Sequence, residues 1–142
     1  MKIQKAFLIL GIFGLIFVSG CNNNVEVFTP TLSDGLIENT PAIVNGSASF
    51  TYALKANNFD GNYNNALTLN SKSLEIAIAI GNYSLGRIII DIYNEDNINI
   101  FHGNYTEGIA ITQSFTTETF AKRIELTLIK VTASVSLAVK AK

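Results

Sequence analysis

Apolar residues recur at every second position through most of this chain, and that period limits what it can fold into. Ala48, Phe50, Tyr52 and Leu54 alternate with Ser49, Thr51 and Ala53. Leu74, Ile76, Ile78 and Ile80 alternate with Glu75, Ala77 and Ala79, and Ile88, Ile90 and Ile92 with Arg87, Ile89 and Asp91. Ile98 and Ile100 continue the pattern, as do Ile109, Ile111 and Phe115. Ile124, Leu126 and Leu128 come next, then Val135, Leu137 and Val139. A strand's side chains point alternately to opposite faces, so each run has one apolar side and one wetter side. Antiparallel sheets with a single buried face need that pattern. Turn signals separate the runs at Asp60-Gly61, Gly81-Asn82, Asn94-Glu95-Asp96-Asn97, Gly103-Asn104 and Thr116-Thr117-Glu118. The spacing predicts an all-β fold of about eight strands, an antiparallel β-sandwich over residues 31–142. A closed barrel is the alternative. The apolar faces are too broken for a membrane barrel.

The first twenty residues follow a different rule. Lys2 and Lys5 precede 13 apolar or glycine residues, Ala6 to Val18. At ~1.5 Å per residue that run is ~20 Å long as a helix, short of the ~30 Å hydrocarbon core of a bilayer. A basic start, a short apolar core and small residues after it describe a secretory signal peptide over residues 1–20. Val18-Ser19-Gly20-Cys21 ends it with an aliphatic residue, two small ones and the chain's single cysteine.

This quartet resembles the bacterial lipobox of lipoprotein signal peptides. The resemblance implies a diacylglyceryl thioether on Cys21, cleavage after Gly20 and acylation of the new amino group. A cysteine is required because its thiolate is the nucleophile that accepts the lipid. Two or three acyl chains hold stably at ~0.8 kcal/mol per buried CH₂, where one is marginal. Residues 21–30, beginning Cys21-Asn22-Asn23-Asn24, then form the lipidated cysteine and a short tether. The expected location is extracytoplasmic and membrane-anchored. Asn22 stands where aspartate commonly marks inner-membrane retention, which favours the outer membrane or the cell surface.

Loss of residues 1–20 leaves 122 residues, enough for one domain with its own core. Lys2 and Lys5 leave with them, so 10 basic residues become 8 against 11 acidic ones, net −3. No basic patch points to a nucleic-acid partner. With no cysteine beyond Cys21, neither a disulfide framework nor a cysteine metal site is expected.

From Ser73 to Ala141 the chain also resembles jelly-roll domains of the bacterial pre-peptidase C-terminal type. Shared features are the alternation, an acidic turn after a central strand, and a serine-containing last strand, Ala133-Ser134-Val135-Ser136-Leu137-Ala138-Val139. Phe120-Ala121-Lys122-Arg123 replaces the Gly-x-Tyr start usual for the penultimate strand. The resemblance implies a jelly-roll-like sandwich.

Catalytic chemistry finds little support in the residues. His102 is the only histidine and reads as a surface-loop residue beside Gly103. No nucleophile motif of the Gly-x-Ser-x-Gly kind accompanies it. Asp91, Glu95 and Asp96 gather near a predicted hairpin, with Asp91 in a strand and the other two at the turn, where backbone hydrogen bonding favours acids. The expectation is no enzyme. The stretch 57–65, Asn57-Asn58-Phe59-Asp60-Gly61-Asn62-Tyr63-Asn64-Asn65, reads as a loop. Asp60, Asn62 and Asn64 reproduce the Asp-x-Asn-x-Asn opening of a calcium loop, but Asn65 and Ser71 stand where that loop needs glycine and glutamate. Calcium is therefore the one metal candidate, and no cofactor beyond the covalent lipid is expected. Phe59 and Tyr63 in the same stretch offer either a stacking surface for a glycan or an apolar plug for the end of a sandwich. Asn-x-Ser/Thr triplets at Asn45, Asn82 and Asn104 are read as chance in a chain with 16 asparagines. The fold and anchor together suggest a non-catalytic binding or structural module of the bacterial envelope, its partners the membrane and a glycan or envelope protein. The alternative is a carbohydrate- or calcium-binding accessory module of a surface complex.

Overall fold

The computed structural model describes residues 35–142. The signal peptide, Cys21 and the tether lie outside the described residues. The described residues form six antiparallel strands rather than about eight: β1 (Ala42–Asn45), β2 (Ser49–Ala66), β3 (Ser73–Asn94), β4 (Asn99–Tyr105), β5 (Ile109–Thr116) and β6 (Ala121–Ala141). β2, β3 and β6 hold 18, 22 and 21 residues. A straight 22-residue strand would reach ~70 Å at ~3.3 Å per residue. These three do not run straight. They bend together, and one sheet folds over into two layers.

Register shows where the bend lies. The first layer runs β1, the start of β2, the end of β6, the start of β3, then β5, with Phe50↔Val139, Ile78↔Leu137 and Ile78↔Ile111 as partners. The second runs from the end of β2 through the start of β6 and the end of β3 to β4, with Tyr63↔Leu126, Ile90↔Leu126 and Ile90↔Gly103. Between them the ladder slips at Ala56–Gly61 in β2 and Gly81–Arg87 in β3. Left-handed backbone sits at the same level: Asn58 (φ 46°), Asn82 (50°), Gly86 (106°) and Lys130 (50°). Each such residue adds one position to its strand, which turns the strand and lets it change layer. The inward-facing positions record this. In β2 they are even up to Ala56 and odd from Phe59, and in β6 even from Ile124 to Leu128 and odd from Val131. β3 carries two left-handed residues and stays even on both sides.

The turn signals at Asp60-Gly61 and Gly81-Asn82 thus mark bends inside continuous strands, and Gly103-Asn104 lies within β4. The Asn94–Asn97 turn and the break after Thr116 form as expected. The alternating runs are strands, except that Ala48 and Ile98 fall just before β2 and β4.

At the open end, opposite the corner, two short connections cross between the layers. Residues 67–72 carry Leu67 and Leu69 into the core, and Leu67 N–H donates to Lys122 O at 2.7 Å. Thr117 N–H donates to Lys72 O at 2.8 Å, which ties the second crossing to the first. The core between the layers consists mainly of Ile, Leu and Val, with Phe50 and Tyr52 its largest members.

Tyr52 is buried, and its hydroxyl has no hydrogen-bond partner among the described residues. Its ring meets the Tyr63 ring with centroids 5.5 Å apart and planes tilted by 58°. Burial, aided by the nearby Tyr63 hydroxyl, pushes the Tyr52 phenol far above its ordinary value of 10.0. The folded state thus resists losing this proton, while the unfolded chain loses it near pH 10. The stabilisation is complete below pH 10 and falls as pH rises above it, by up to ~1.4 kcal/mol per pH unit. Tyr52→Phe removes both the stranded hydroxyl and the titration. Urea unfolding at pH 7 and at pH 11 should show the variant at least as stable as wild type at the lower pH and relatively more stable at the higher one. An equal loss on alkalinisation in both proteins would refute the assignment.

Candidate functional site

The outer face of the second layer concentrates side chains that bear chemistry. Asn64 faces Glu125 across β2 and β6, Glu125 faces Asp91 across β6 and β3, and Asp91 faces His102 across β3 and β4. Directly opposed residues share a face, so these four form one row across four strands. Their neighbours along each strand, Asn62, Thr127, Ile89 and Asn104, form a parallel row.

Hydrogen bonds join the first row. Asn64 Nδ2 donates to Glu125 Oε1 at 3.2 Å. The Arg123 guanidinium pairs with Glu125, donates to Asn97 Oδ1 at 2.6 Å and lies 4.1 Å from the centroid of the Tyr93 ring. Asp91 Oδ1 accepts from Asn99 Nδ2 at 2.6 Å and sits 2.8 Å from His102 Nδ1. Asp91 and Glu125 would repel across the ladder, and Arg123, Asn99 and His102 offset that repulsion. The Asp91 side chain is 18 % exposed and that of His102 59 % exposed, so the imidazole presents its free edge to solvent. The result is a flat lattice of amides, carboxylates, guanidinium and imidazole. It can hydrogen-bond a partner surface.

Several sequence expectations change here. The 57–65 stretch is strand, not loop. Phe59 and Tyr63 are not at an exposed tip; they are half-buried on the inner face and pack against the core. Gly61 lies between them on that face, where a Cβ would meet the Phe59 ring at 2.7 Å and the Tyr63 ring at 3.0 Å. Two rings fill the space that glycine leaves on an edge strand. Asp60, Asn62 and Asn64 alternate outward. Two residues of strand advance ~6.8 Å, so the three side chains stand in file and do not curl around an ion as in a calcium loop. Asp60 Oδ1 instead accepts the Lys130 N–H at 3.0 Å, and Asn64 joins Glu125. Among the described residues no three His, Cys, Asp or Glu side chains are grouped to hold a metal. His102 belongs to β4 rather than to a loop, though it is exposed. Asp91 lies in β3, with Glu95 and Asp96 at the turn, as read. Sequence reasoning missed Tyr93, Arg123, Glu125 and Asn99. Their outward phase was legible, but their convergence depends on strand pairing.

A second feature lies at the corner. Glu38, Lys55, Asn57, Asn82, Thr132 and Ser134 line a pocket of about 350 Å³ with Ala56 and Ala133. Asn39 clamps its rim: its Nδ2 donates to Asn57 O at 3.1 Å and its Oδ1 accepts the Asn57 N–H at 2.8 Å.

No family model and no curated protein matches the chain. Among solved structures it is similar to a family 16 carbohydrate binding module-2, with 10 % identity and a TM-score of 0.37 over 64 % of this chain and 72 % of the other. It is also similar to a chain of a glycosylation associate protein complex from Streptococcus agalactiae, with 12 % identity and a TM-score of 0.37 over 80 % of this chain. It spans 43 % of that second chain.

Proposed function

We propose that this protein is a lipid-anchored, extracytoplasmic β-sandwich that acts as a non-catalytic binding or structural module of the bacterial envelope. Its anchor is the lipid on Cys21, and its partner is a glycan or an envelope protein. The observation that carries the binding role is the row Asn64, Glu125, Asp91 and His102, in which Asn64 and His102 are exposed and Asp91 and Glu125 half-buried. Those side chains are held by one another and by Arg123, so they lose little further freedom when a partner docks. Asn62, Asn99 and Asn104 flank the row and, with Asn64 in it, favour a hydroxyl-rich or peptide surface over a charged one.

Cys21→Ala tests the anchor. The wild-type protein should partition into detergent and carry the mass of its acyl chains. The variant should lose that mass and become soluble or remain uncleaved. Wild-type protein in the aqueous phase without acyl mass would remove the anchor from this reading. For the binding role, a photo-crosslinking residue at Asn62 in intact cells should give a discrete adduct that weakens with Arg123→Ala. Failure to form any adduct would count against the face.

A further inference from the structure

We infer that the corner pocket is a binding site for a small, neutral, hydroxyl-rich compound such as a single sugar residue or a polyol. This goes beyond the docking role of the outer face and uses different residues. The pocket exists because three strands bend at one level; of the left-handed residues responsible, Asn82 lines it and Asn58 donates its N–H to the lining residue Thr132. Backbone strain of this kind gathers at functional sites. At about 350 Å³ the pocket lies at the small end of the ~300–1,000 Å³ that ligand cavities span.

The hydrogen-bonding inventory among the described residues selects the ligand. Asn57 Nδ2 donates to Glu38 Oε1 at 3.0 Å, which leaves Asn57 Oδ1 as an acceptor. Asn82 Nδ2 donates to Ser134 Oγ at 3.4 Å, which leaves Asn82 Oδ1 as an acceptor and the Ser134 proton as a donor. Thr132 Oγ1 accepts the Asn58 N–H at 2.9 Å, so its own proton is free to donate. Lys55 Nζ and Glu38 Oε2, 3.9 Å apart, add one donor group and one acceptor group whose charges cancel. Donors and acceptors are thus balanced around an uncharged space. A phosphate or carboxylate would supply acceptors alone and strand the two amide oxygens. An ammonium would supply donors alone and strand the two hydroxyl protons. A hydroxyl both donates and accepts, so adjacent hydroxyls on a small ring can satisfy all of these groups. Ala56 and Ala133 give the carbon skeleton an apolar contact.

The test uses the full-length lipidated protein in a sugar-free detergent. Glucose, galactose, mannose, N-acetylglucosamine, glucuronate, inorganic phosphate and glycine are each titrated, with saturation-transfer NMR as the readout. At least one neutral sugar should bind. Ser134→Ala and Asn82→Gly should each weaken it at least tenfold, the glycine keeping the positive φ while deleting the amide. Gln113→Ala, exposed on β5 and outside both the pocket and the outer-face row, should leave it unchanged, and unfolding midpoints should confirm that the variants are folded. The proposal falls if no neutral sugar binds, if phosphate or glycine binds more tightly, or if both pocket variants bind like wild type. Sugar binding lost with His102→Ala but kept with Ser134→Ala would move the ligand to the outer face. That result would overturn the pocket and leave the binding-module reading in place.

Discussion

Leu126→Asp and Ile90→Asp should each yield a chain that does not fold. The two residues are Cα partners at the centre of the second layer, and both are fully buried. Truncating a buried Leu or Ile costs ~2–5 kcal/mol in lost transfer energy and cavity formation. An unpaired carboxylate in the same place adds several kcal/mol, or must bind a proton at comparable cost. Against a total stability of ~5–15 kcal/mol the sum is decisive. The measurements are soluble yield, the far-ultraviolet circular dichroism signature of strand, and the sharpness of thermal unfolding. Asn62→Asp, on the exposed face of the same layer, is the control and should change stability by less than ~0.5 kcal/mol. A cooperatively folded Leu126→Asp protein would mean that the layers do not meet as described.

Gly86→Ala should be the most damaging methyl group that can be added to the corner. Its φ of 106° is a conformation that L side chains rarely adopt. A Cβ there would stand 2.6 Å from both Lys130 O and Val131 Cα. Those are backbone atoms of β6, themselves held at the left-handed Lys130, so they cannot swing aside. Strain at such a φ costs ~1–3 kcal/mol, and forced repacking costs a similar ~1–3 kcal/mol. The expected loss is therefore ~3 kcal/mol or more, read as a lower urea midpoint with little change in slope. Gly103→Ala is the comparison. Its Cβ would strike the Tyr105 ring and hydroxyl, the far end of a half-buried side chain that can rotate away. It should cost clearly less. Equal losses at the two glycines would show that the corner backbone is more compliant than its geometry implies.

The corner also marks the boundary between what is local and what is not. Period-two alternation is a property of a few neighbouring residues, so it identified the strands. It also identified much of the core, from Phe50 and Tyr52 through Ile76, Ile78, Ile88 and Ile90 to Leu126, Leu137 and Val139, but it missed Leu67, Leu69 and Val131, and Ile98 and Ile111 on the same period are exposed. The reading of Val18-Ser19-Gly20-Cys21 as a lipid-anchor signal is equally local. The phase change between Leu128 and Val131 was present in the sequence, as was the one between Ala56 and Phe59. A phase change alone does not distinguish the end of a strand from a bulge within one. Asp60-Gly61 and Gly81-Asn82 therefore read as turns, although β6 pairs with β2 and β3 on both sides of the bend and holds them as single strands.

Tertiary structure decided the rest. Phe59 and Tyr63 face inward because pairing with β6 turns that side of β2 toward the core, and no property of the 57–65 segment alone reveals this. Asp91 reaches His102 over eleven residues, and Asn64 reaches Glu125 over sixty-one, through register alone. The corner pocket draws Glu38, Lys55, Asn82 and Ser134 from four separate stretches of chain. Side-chain direction follows from local backbone geometry, so sequence determined which residues face the core along most strands. Which residues meet follows from strand pairing and from where strands bend, and both depend on contacts between segments far apart in the chain.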